Sequence, residues 1–315
     1  MALAPRLQWS PASAVRLDDS QVQVRDRVRQ RLQNGTYPTE SVPCICGDDG
    51  ENVIAERDRY GLPVRTLLCL RCGLLRTSPR MTAEATARFY EEDYRGLYTS
   101  AGQTAAQLFE HQTRTGRAFY QRFRKLTDRV DKVFEVGCGA GGFLLPFAEA
   151  GKVVAGVDLG SDYLEEGRRH GLNLVHGDAE ALLERCGPAD VVFALHVVEH
   201  FLDVPAELDR LRRLLTPGGI LVIEVPGVRA IETAYRGDTL LYLQNAHTYH
   251  FTATTLQYTL NRCGFDVHYC DESALAVCTA SAANRREVPP PANEAQETMR
   301  YLAGLERNWL AAQAG

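Results

Sequence analysis

A chain of 315 residues, 45% hydrophobic and 24% charged, can bury the cores of about two globular domains, which excludes a disordered, collagen-like or coiled-coil protein. Its formal charge of -5 and isoelectric point near 5.9 argue against a protein whose main task is gripping a phosphate backbone, and favour a small or neutral partner. No apolar stretch approaches the roughly 20 residues that span a bilayer, and Met1 to Ser20 lacks a secretory apolar core, so a cytoplasmic protein without membrane association is expected.

Residues 1–40 read as an N-terminal extension. Within it Asp18 to Gln33 has helical spacing, with Val22, Val28 and Leu32 inward and Arg25, Arg27, Arg29 and Arg31 on a solvated face. Residues 41–80 form a small module marked by cysteines. Nine cysteines in 315 residues predict fewer than one in any window of 29, yet Cys44, Cys46, Cys69 and Cys72 share one. Cys69-Leu70-Arg71-Cys72-Gly73 has the knuckle spacing in which two thiolates chelate one ion, between strand-like Val64 to Leu68 and Leu74 to Thr77. Cys44-Ile45-Cys46-Gly47 is irregular, so Asp48, Asp49 or water competes for one ligand position, and four reduced core cysteines are the plain alternative. A structural zinc ion in a zinc-ribbon-like fold is the expectation. The acidic run Asp48-Asp49-Gly50-Glu51 does not suit a nucleic-acid grip. Residues 81–128, with helical spacing over Thr82 to Tyr94 and Gln103 to Thr127, read as a helical linker or lid.

From Asp131 short β-branched runs alternate with helical patterns: Lys132 to Val136, Val153 to Val157, Leu172 to Val175, Val191 to Leu195 and Ile220 to Val225. Runs that are fully apolar rather than alternating are parallel strands buried on both faces, as in a doubly wound α/β sheet. Residues 129–285 form this domain, interrupted over 226–251 by an irregular insertion and resumed by a helix at Thr252 to Cys263 and strands at Phe265 to Cys270 and Leu275 to Ala280. Residues 286–315 are a tail with a Pro289-Pro290-Pro291 break and a helix at Glu294 to Ala312, free to pack on its own sheet or on a partner. The first strand runs into glycines at 137, 139, 141 and 142, where backbone bends sharply and approaches a ligand closely. Gly137, Gly139 and Gly142 also fit the dinucleotide spacing, with Asp158 placed for a ribose, so a nicotinamide enzyme stands as one reading. Glu135 favours another, because a carboxylate before the glycines repels a pyrophosphate but attracts the ammonium of an amino acid.

Glu135-Val136-Gly137-Cys138-Gly139-Ala140-Gly141, Gly156-Val157-Asp158-Leu159, Gly177-Asp178-Ala179 and the turn Leu215-Thr216-Pro217-Gly218-Gly219, in that order, resemble the class I S-adenosylmethionine-dependent methyltransferases over about residues 100 to 285. The resemblance implies a Rossmann-like, mainly parallel seven-stranded sheet. It also implies S-adenosylmethionine bound by Glu135, Gly137, Gly139, Gly141, Asp158, Leu159, Asp178 and Ala179, bordered by His196, with Asp158 on the ribose hydroxyls and Asp178 near the adenine amino group.

His196-Val197-Val198-Glu199-His200 matches an inverted zinc-protease signature, which needs one continuous helix; here Asp190 to Leu195 reads as strand and runs straight into it. The segment is therefore read as the tip of the fourth strand, with Glu199 and His200 open to the acceptor. For His200, capping the next helix and catalysis stand level. The segment Tyr242 to Phe251 is polar and aromatic, and with the cysteine module it resembles the sugar C-methyltransferases of deoxysugar pathways, which carry an E-H-x-x-Y-F segment. The match here is Ala246-His247-Thr248-Tyr249-His250-Phe251. That resemblance implies acid/base roles near a sugar for His200 and His247, and an approach to substrate by Tyr94 and Tyr98. The glutamate is replaced by Ala246, and the 35 residues after Ala280 are shorter than the nucleotide-sugar domain of those enzymes, so oxygen and carbon methylation both stay open. The expected acceptor is a nucleotide sugar or saccharide. An RNA methyltransferase whose module grips RNA and a catalytically silent binder of the cofactor are the alternatives. Lysine is confined to Lys125, Lys132 and Lys152, which suits a GC-rich bacterial genome.

Overall fold

The computed structural model describes residues 2–48, 50–98 and 104–314, so Asp49 and Gln103 lie outside the described residues. The first helix, α1 (Asp19–Gln33), starts at a capping box in which the Asp18 carboxylate accepts from the Gln21 N–H at 2.8 Å and the Gln21 side chain accepts from the Asp18 N–H at 3.1 Å. Its arginines are not one solvated face. Arg27 and Arg31 reach the buried carboxylate of Asp93, at 2.6 and 2.9 Å, and the Tyr37 hydroxyl donates to it at 2.5 Å. This anion sits where helical spacing alone runs on unbroken, and it separates α2 (Ala83–Glu92) from α3 (Tyr94–Tyr98).

Between α1 and α2 lies the cysteine module: β1 (Thr39–Glu40), β2 (Glu51–Ala55), β3 (Thr66–Cys69), β4 (Leu75–Thr77) and β5 (Arg80–Met81). Strand β1 pairs with β5, while β2, β3 and β4 form an antiparallel meander. The long α4 (Ala105–Thr127) then lays Phe109 and Phe119 against the main sheet.

That sheet is built by β6 (Lys132–Val136), β7 (Val153–Asp158), β8 (Asn173–His176), β9 (Ala189–Leu195) and β10 (Leu215–Glu224), alternating with α5 (Leu145–Glu149), α6 (Leu164–Arg169), α7 (Ala179–Cys186) and α8 (Val204–Arg213). Next come α9 (Ile231–Ala234), α10 (Thr239–Tyr242), β11 (Tyr249–His250), α11 (Ala253–Arg262), β12 (Phe265–Cys270), β13 (Leu275–Ala280) and α12 (Glu294–Ala314). The seven strands run in the order β12-β13-β10-β9-β6-β7-β8, with β13 antiparallel to both neighbours, the Rossmann-like α/β architecture expected. Strand β9 shows why its sequence is apolar throughout. Val191 and Phe193 enter a core with Phe143 and Phe147 on one face, and Val192 and Ala194 join Leu221 and Ile223 on the other, all buried.

The Leu215-Thr216-Pro217-Gly218-Gly219 segment is the turn expected: Gly218 has φ 78° and Gly219 folds back against Thr216, and the residues paired with β9 on either side of it, Leu215↔Ala189 and Ile220↔Val191, put it within the bounds of β10. One expectation is corrected. The insertion 226–251 is not irregular: it holds α9, α10 and β11. Strand β11 pairs Tyr249 with Arg76 and His250 with Leu75, so the insertion and the cysteine module share one sheet in the order β11-β4-β3-β2. Helix α12 crosses both, burying Leu302 and Leu305 against Ile54, Leu68, Leu75, Val228 and Leu240. Among the described residues no helix is long and apolar enough to cross a membrane.

Candidate active site

At the carboxyl end of β6 and β7 the glycine loop is tied down by backbone and side chain together. Gly137 and Cys138 donate to the Val157 carbonyl at 2.8 and 3.0 Å, and Gly141 donates to that of Cys138 at 2.7 Å. Asp158 accepts from Gly139 at 2.8 Å and from Gly160 at 2.7 Å, so its first task is to hold the loop beside which it would meet a ribose; burial outweighs these bonds and keeps its pKa above the ordinary value. Glu135 is buried with Oε2 lacking any partner, and burial, then the neighbouring Asp158, push its pKa well above the usual carboxylate range. A buried carboxylate oxygen without a donor is costly, and an ammonium arriving there would supply one. Asp178 caps α7, its Oδ1 accepting from Glu180 and Ala181 at 3.1 Å each, with Oδ2 3.7 Å from Arg210. Ala179 is buried behind it, and Leu159 stands out beside the loop at 76% exposure. These residues fit a cofactor with an amino-acid end and an adenosyl end.

Sequence reasoning missed Gln112. From α4 its Oε1 accepts from Ala140 and Gly142 at 3.1 and 3.3 Å while its amide nitrogen donates to the Cys138 carbonyl at 3.0 Å, strapping the loop from outside. No motif flags it, because a polar residue on an amphipathic helix reads as surface. Replacing it with alanine unpairs three backbone groups, and calorimetry should show S-adenosylhomocysteine affinity falling by about tenfold, near the 1.4 kcal/mol of one hydrogen bond.

The acceptor side lies across the loop. The five residues His196 to His200 are not one helix: β9 ends at Leu195, His196 takes a left-handed φ of 55°, and Val198–His200 is a single tight turn. Burial disfavours the charged form of His196, but the carboxylates of Glu199 and Glu224, each 3.6 Å from a ring nitrogen, prevail and raise its pKa. Glu199 is buried with neither oxygen hydrogen-bonded; besides His196 the imidazoles nearest to it are His200, with Nε2 at 3.8 Å, and His247, with Nε2 at 3.9 Å. His200 caps no helix. Asp203 caps α8, accepting from Ala206 at 3.1 Å, while His200 Nδ1 lies 2.9 Å from the Ala246 carbonyl. A carbonyl can only accept, so Nδ1 carries the proton and Nε2, 3.8 Å from Glu199, keeps its lone pair.

His247 is held by Gln244, whose amide oxygen accepts from Arg59 and whose nitrogen therefore faces His247 Nε2. Burial, then the neighbouring His200, His250 and Arg59, drive the His247 pKa well below its ordinary value, and burial alone takes His250 down to about 3, so both are neutral imidazoles. Tyr90, Tyr94 and Tyr98 form a ladder above them, with ring centroids 4.6 and 4.7 Å apart, and Tyr90 reaches His200 Nδ1 at 2.9 Å. Burial, then Glu199, pushes the Tyr94 hydroxyl up to about 12, so it stays protonated and can donate.

The four cysteines converge although one knuckle is irregular. All are buried and free of disulfides, with Cys44 Sγ 3.5 Å from Cys72 Sγ, Cys46 Sγ 3.6 Å from Cys69 Sγ, and all four sulfurs within 4.8 Å of one another. Four thiolates about 2.3 Å from a tetrahedral zinc ion would stand about 3.8 Å apart, so the set fits a closed structural site. Asp48 is occupied elsewhere, accepting from the Gly50 N–H at 2.7 Å. The cysteines pack into the same core as β9 and α8, so the module is fused to the main domain.

The methyltransferase domain family matches residues 108–269, half of the chain, and the chain belongs to it. It is a class I S-adenosylmethionine-dependent methyltransferase. Over 257 residues it is 26% identical to the C-methyltransferase NovU of Streptomyces niveus, covering 77% of this chain and 58% of that protein. Over 101 residues it is 36% identical to a ubiquinone biosynthesis O-methyltransferase of Psychrobacter cryohalolentis, covering 29% of this chain and 39% of that protein. The chain thus spans less than two thirds of the length of either relative. A solved structure of a SAM dependent methyltransferase from Archaeoglobus fulgidus is 23% identical, with a TM-score of 0.42, over 64% of this chain and 92% of that one.

Proposed function

We propose that this enzyme methylates a small, sugar-derived acceptor, a nucleotide sugar or saccharide, at a hydroxyl oxygen or at the carbon beside a ketone. The observation that carries this reading is Glu199, a buried carboxylate with no donor, set among three imidazoles beneath a tyrosine ladder. Likeness to the C-methyltransferase NovU over 77% of the chain supports the carbon option.

S-adenosylmethionine, when bound, supplies an electrophilic methyl on a sulfonium. Glu135 would hold its ammonium, Asp158 its ribose, Asp178 and Ala179 its adenine, with Leu159 covering the base, while Gly137, Gly139 and Gly141 keep the loop free of side chains. On the acceptor side His200 Nε2 takes the proton from the hydroxyl or from the carbon next to the ketone, and Glu199 stabilises the imidazolium so formed; the proton is drawn off as the acceptor electrons go to the methyl. Neutral His247 donates or accepts a hydrogen bond to orient the acceptor, and Tyr94 donates from the ladder, whose faces suit the apolar face of a sugar ring. A zinc ion held by Cys44, Cys46, Cys69 and Cys72 is structural in this scheme.

The variants His200→Asn and His247→Asn should leave S-adenosylhomocysteine affinity within about twofold and slow single-turnover transfer, by about 100-fold or more in the first, the usual worth of a positioned base, and by less in the second, which orients the acceptor. Equal loss of cofactor binding in both variants would contradict the division of roles. RNA binding with a steep salt dependence would favour an RNA acceptor instead.

A further inference from the structure

We propose that Arg59 and the side-chain amide of Asn245 form an anion-reading subsite on the acceptor side, so that the acceptor carries a carboxylate or phosphate beside the part that is methylated. This deepens the acceptor reading above and rests on it.

Arg59 lies on the loop between β2 and β3, half-buried, with its guanidinium over the rings of Tyr60 and Tyr98, 5.0 and 5.7 Å from their centroids. Its Nη1 donates to the Leu241 carbonyl at 3.3 Å and its Nη2 to Gln244, both neutral groups, and its Nε is buried with no partner. No carboxylate of the described residues is within ion-pair distance of it; the adjacent Asp58 is turned to the backbone, accepting from Tyr60, Leu62 and Asn245 at 2.9, 2.9 and 3.1 Å. Asn245 is 6% exposed. Its oxygen accepts from the Tyr98 hydroxyl, which in turn accepts from the Ala246 N–H at 3.3 Å, so the amide is oriented and its nitrogen is left buried without a partner. Gln244 links Arg59 to His247, which is 3.9 Å from Glu199, and this places both donors on the acceptor side.

Two unused donors, one of them cationic and both set against Tyr98, call for an oxygen that bears negative charge. A cation stacked on tyrosines explains the ring contacts but leaves both nitrogens unpaired. A neutral hydroxyl pairs one donor and leaves the guanidinium uncompensated in partly desolvated surroundings.

The test titrates the zinc-loaded full chain, saturated with S-adenosylhomocysteine, with inorganic phosphate and separately with glucuronate. At least one anion should bind without displacing S-adenosylhomocysteine, about tenfold or more weaker in Arg59→Gln, less so in Arg59→Lys, and weaker in Asn245→Ala, with cofactor affinity unchanged in all three. Phosphate binding marks a phosphorylated acceptor and glucuronate binding a carboxylated sugar. No binding of either anion, equal binding to Arg59→Gln and Asn245→Ala, or displacement of the cofactor product would overturn the subsite. Failure of the wild type to bind S-adenosylhomocysteine would strike instead at the methyltransferase chemistry itself.

Discussion

Gly137→Ala, or Asp158→Asn, is expected to raise the dissociation constant for S-adenosylhomocysteine by about 100-fold or more, about 2.7 kcal/mol, in calorimetry on protein whose thermal unfolding shows it still folded. Gly137 has φ 76°, a conformation that costs an L side chain about 1–2 kcal/mol, and a Cβ there would lie 2.3 Å from Cγ2 of Val197. The loop or the segment after His196 must shift, and both belong to the site. Asp158 accepts from Gly139 and Gly160 on different oxygens; the amide of asparagine keeps one acceptor and turns an NH₂ against the other N–H. One unpaired buried donor costs about 1–3 kcal/mol before the lost ribose contact is added. Asp178→Asn should be milder, because a neutral amide oxygen can still cap α7. Unchanged affinity in both severe variants would remove the loop from the cofactor site.

Stripping the metal should separate the two halves of the reaction. Freshly purified protein is expected to carry one zinc ion per chain, and chelation under mild denaturant, or Cys72→Ser, should cut transfer by about 100-fold or more while S-adenosylhomocysteine binds within about threefold of normal. Structural zinc contributes about 10–16 kcal/mol in small zinc peptides, far more than a three-strand meander holds by itself. The consequence reaches the acceptor side through β4. Its Thr77 N–H donates to the Thr248 carbonyl at 2.9 Å and its hydroxyl to that of His247 at 2.8 Å, next to the β11 pairing. The glycine loop is held by Gln112, Val157 and Asp158, none of which is in the module. Metal content well below one per chain, or full transfer after chelation, would contradict this arrangement.

What the sequence displays is whatever local spacing controls. Strand Lys132 to Val136 lies where its apolar run places it, because burial on both faces leaves a signal in nearly every residue, and the more exposed Phe265 to Cys270 and Leu275 to Ala280 at the sheet's antiparallel edge also keep their expected bounds. The cysteine set converges as its spacing suggests. What stays hidden is set by distant partners. Helix α2 ends at Asp93 because Arg27, Arg31 and Tyr37 capture that carboxylate from elsewhere in the chain. The helices of 226–251 are four residues long and β11 is two, too short to form or to be seen without the elements they pack on. His200 looked as much a cap as a base, and only the fold shows Asp203 in the capping position. Arg59 and Gln112 lie in no motif, and their importance comes from bonds across the fold to Gln244 and to the glycine loop.

The most direct measurement supplies S-adenosylmethionine with an isotopically labelled methyl to the pure protein in an extract of its own host and follows the label by mass spectrometry. The expected result is label on a small saccharide or nucleotide sugar, made by the wild type and lost in His200→Asn. Label on RNA, or on nothing although S-adenosylhomocysteine binds one to one, would contradict the acceptor chemistry assigned to Glu199 and its histidines.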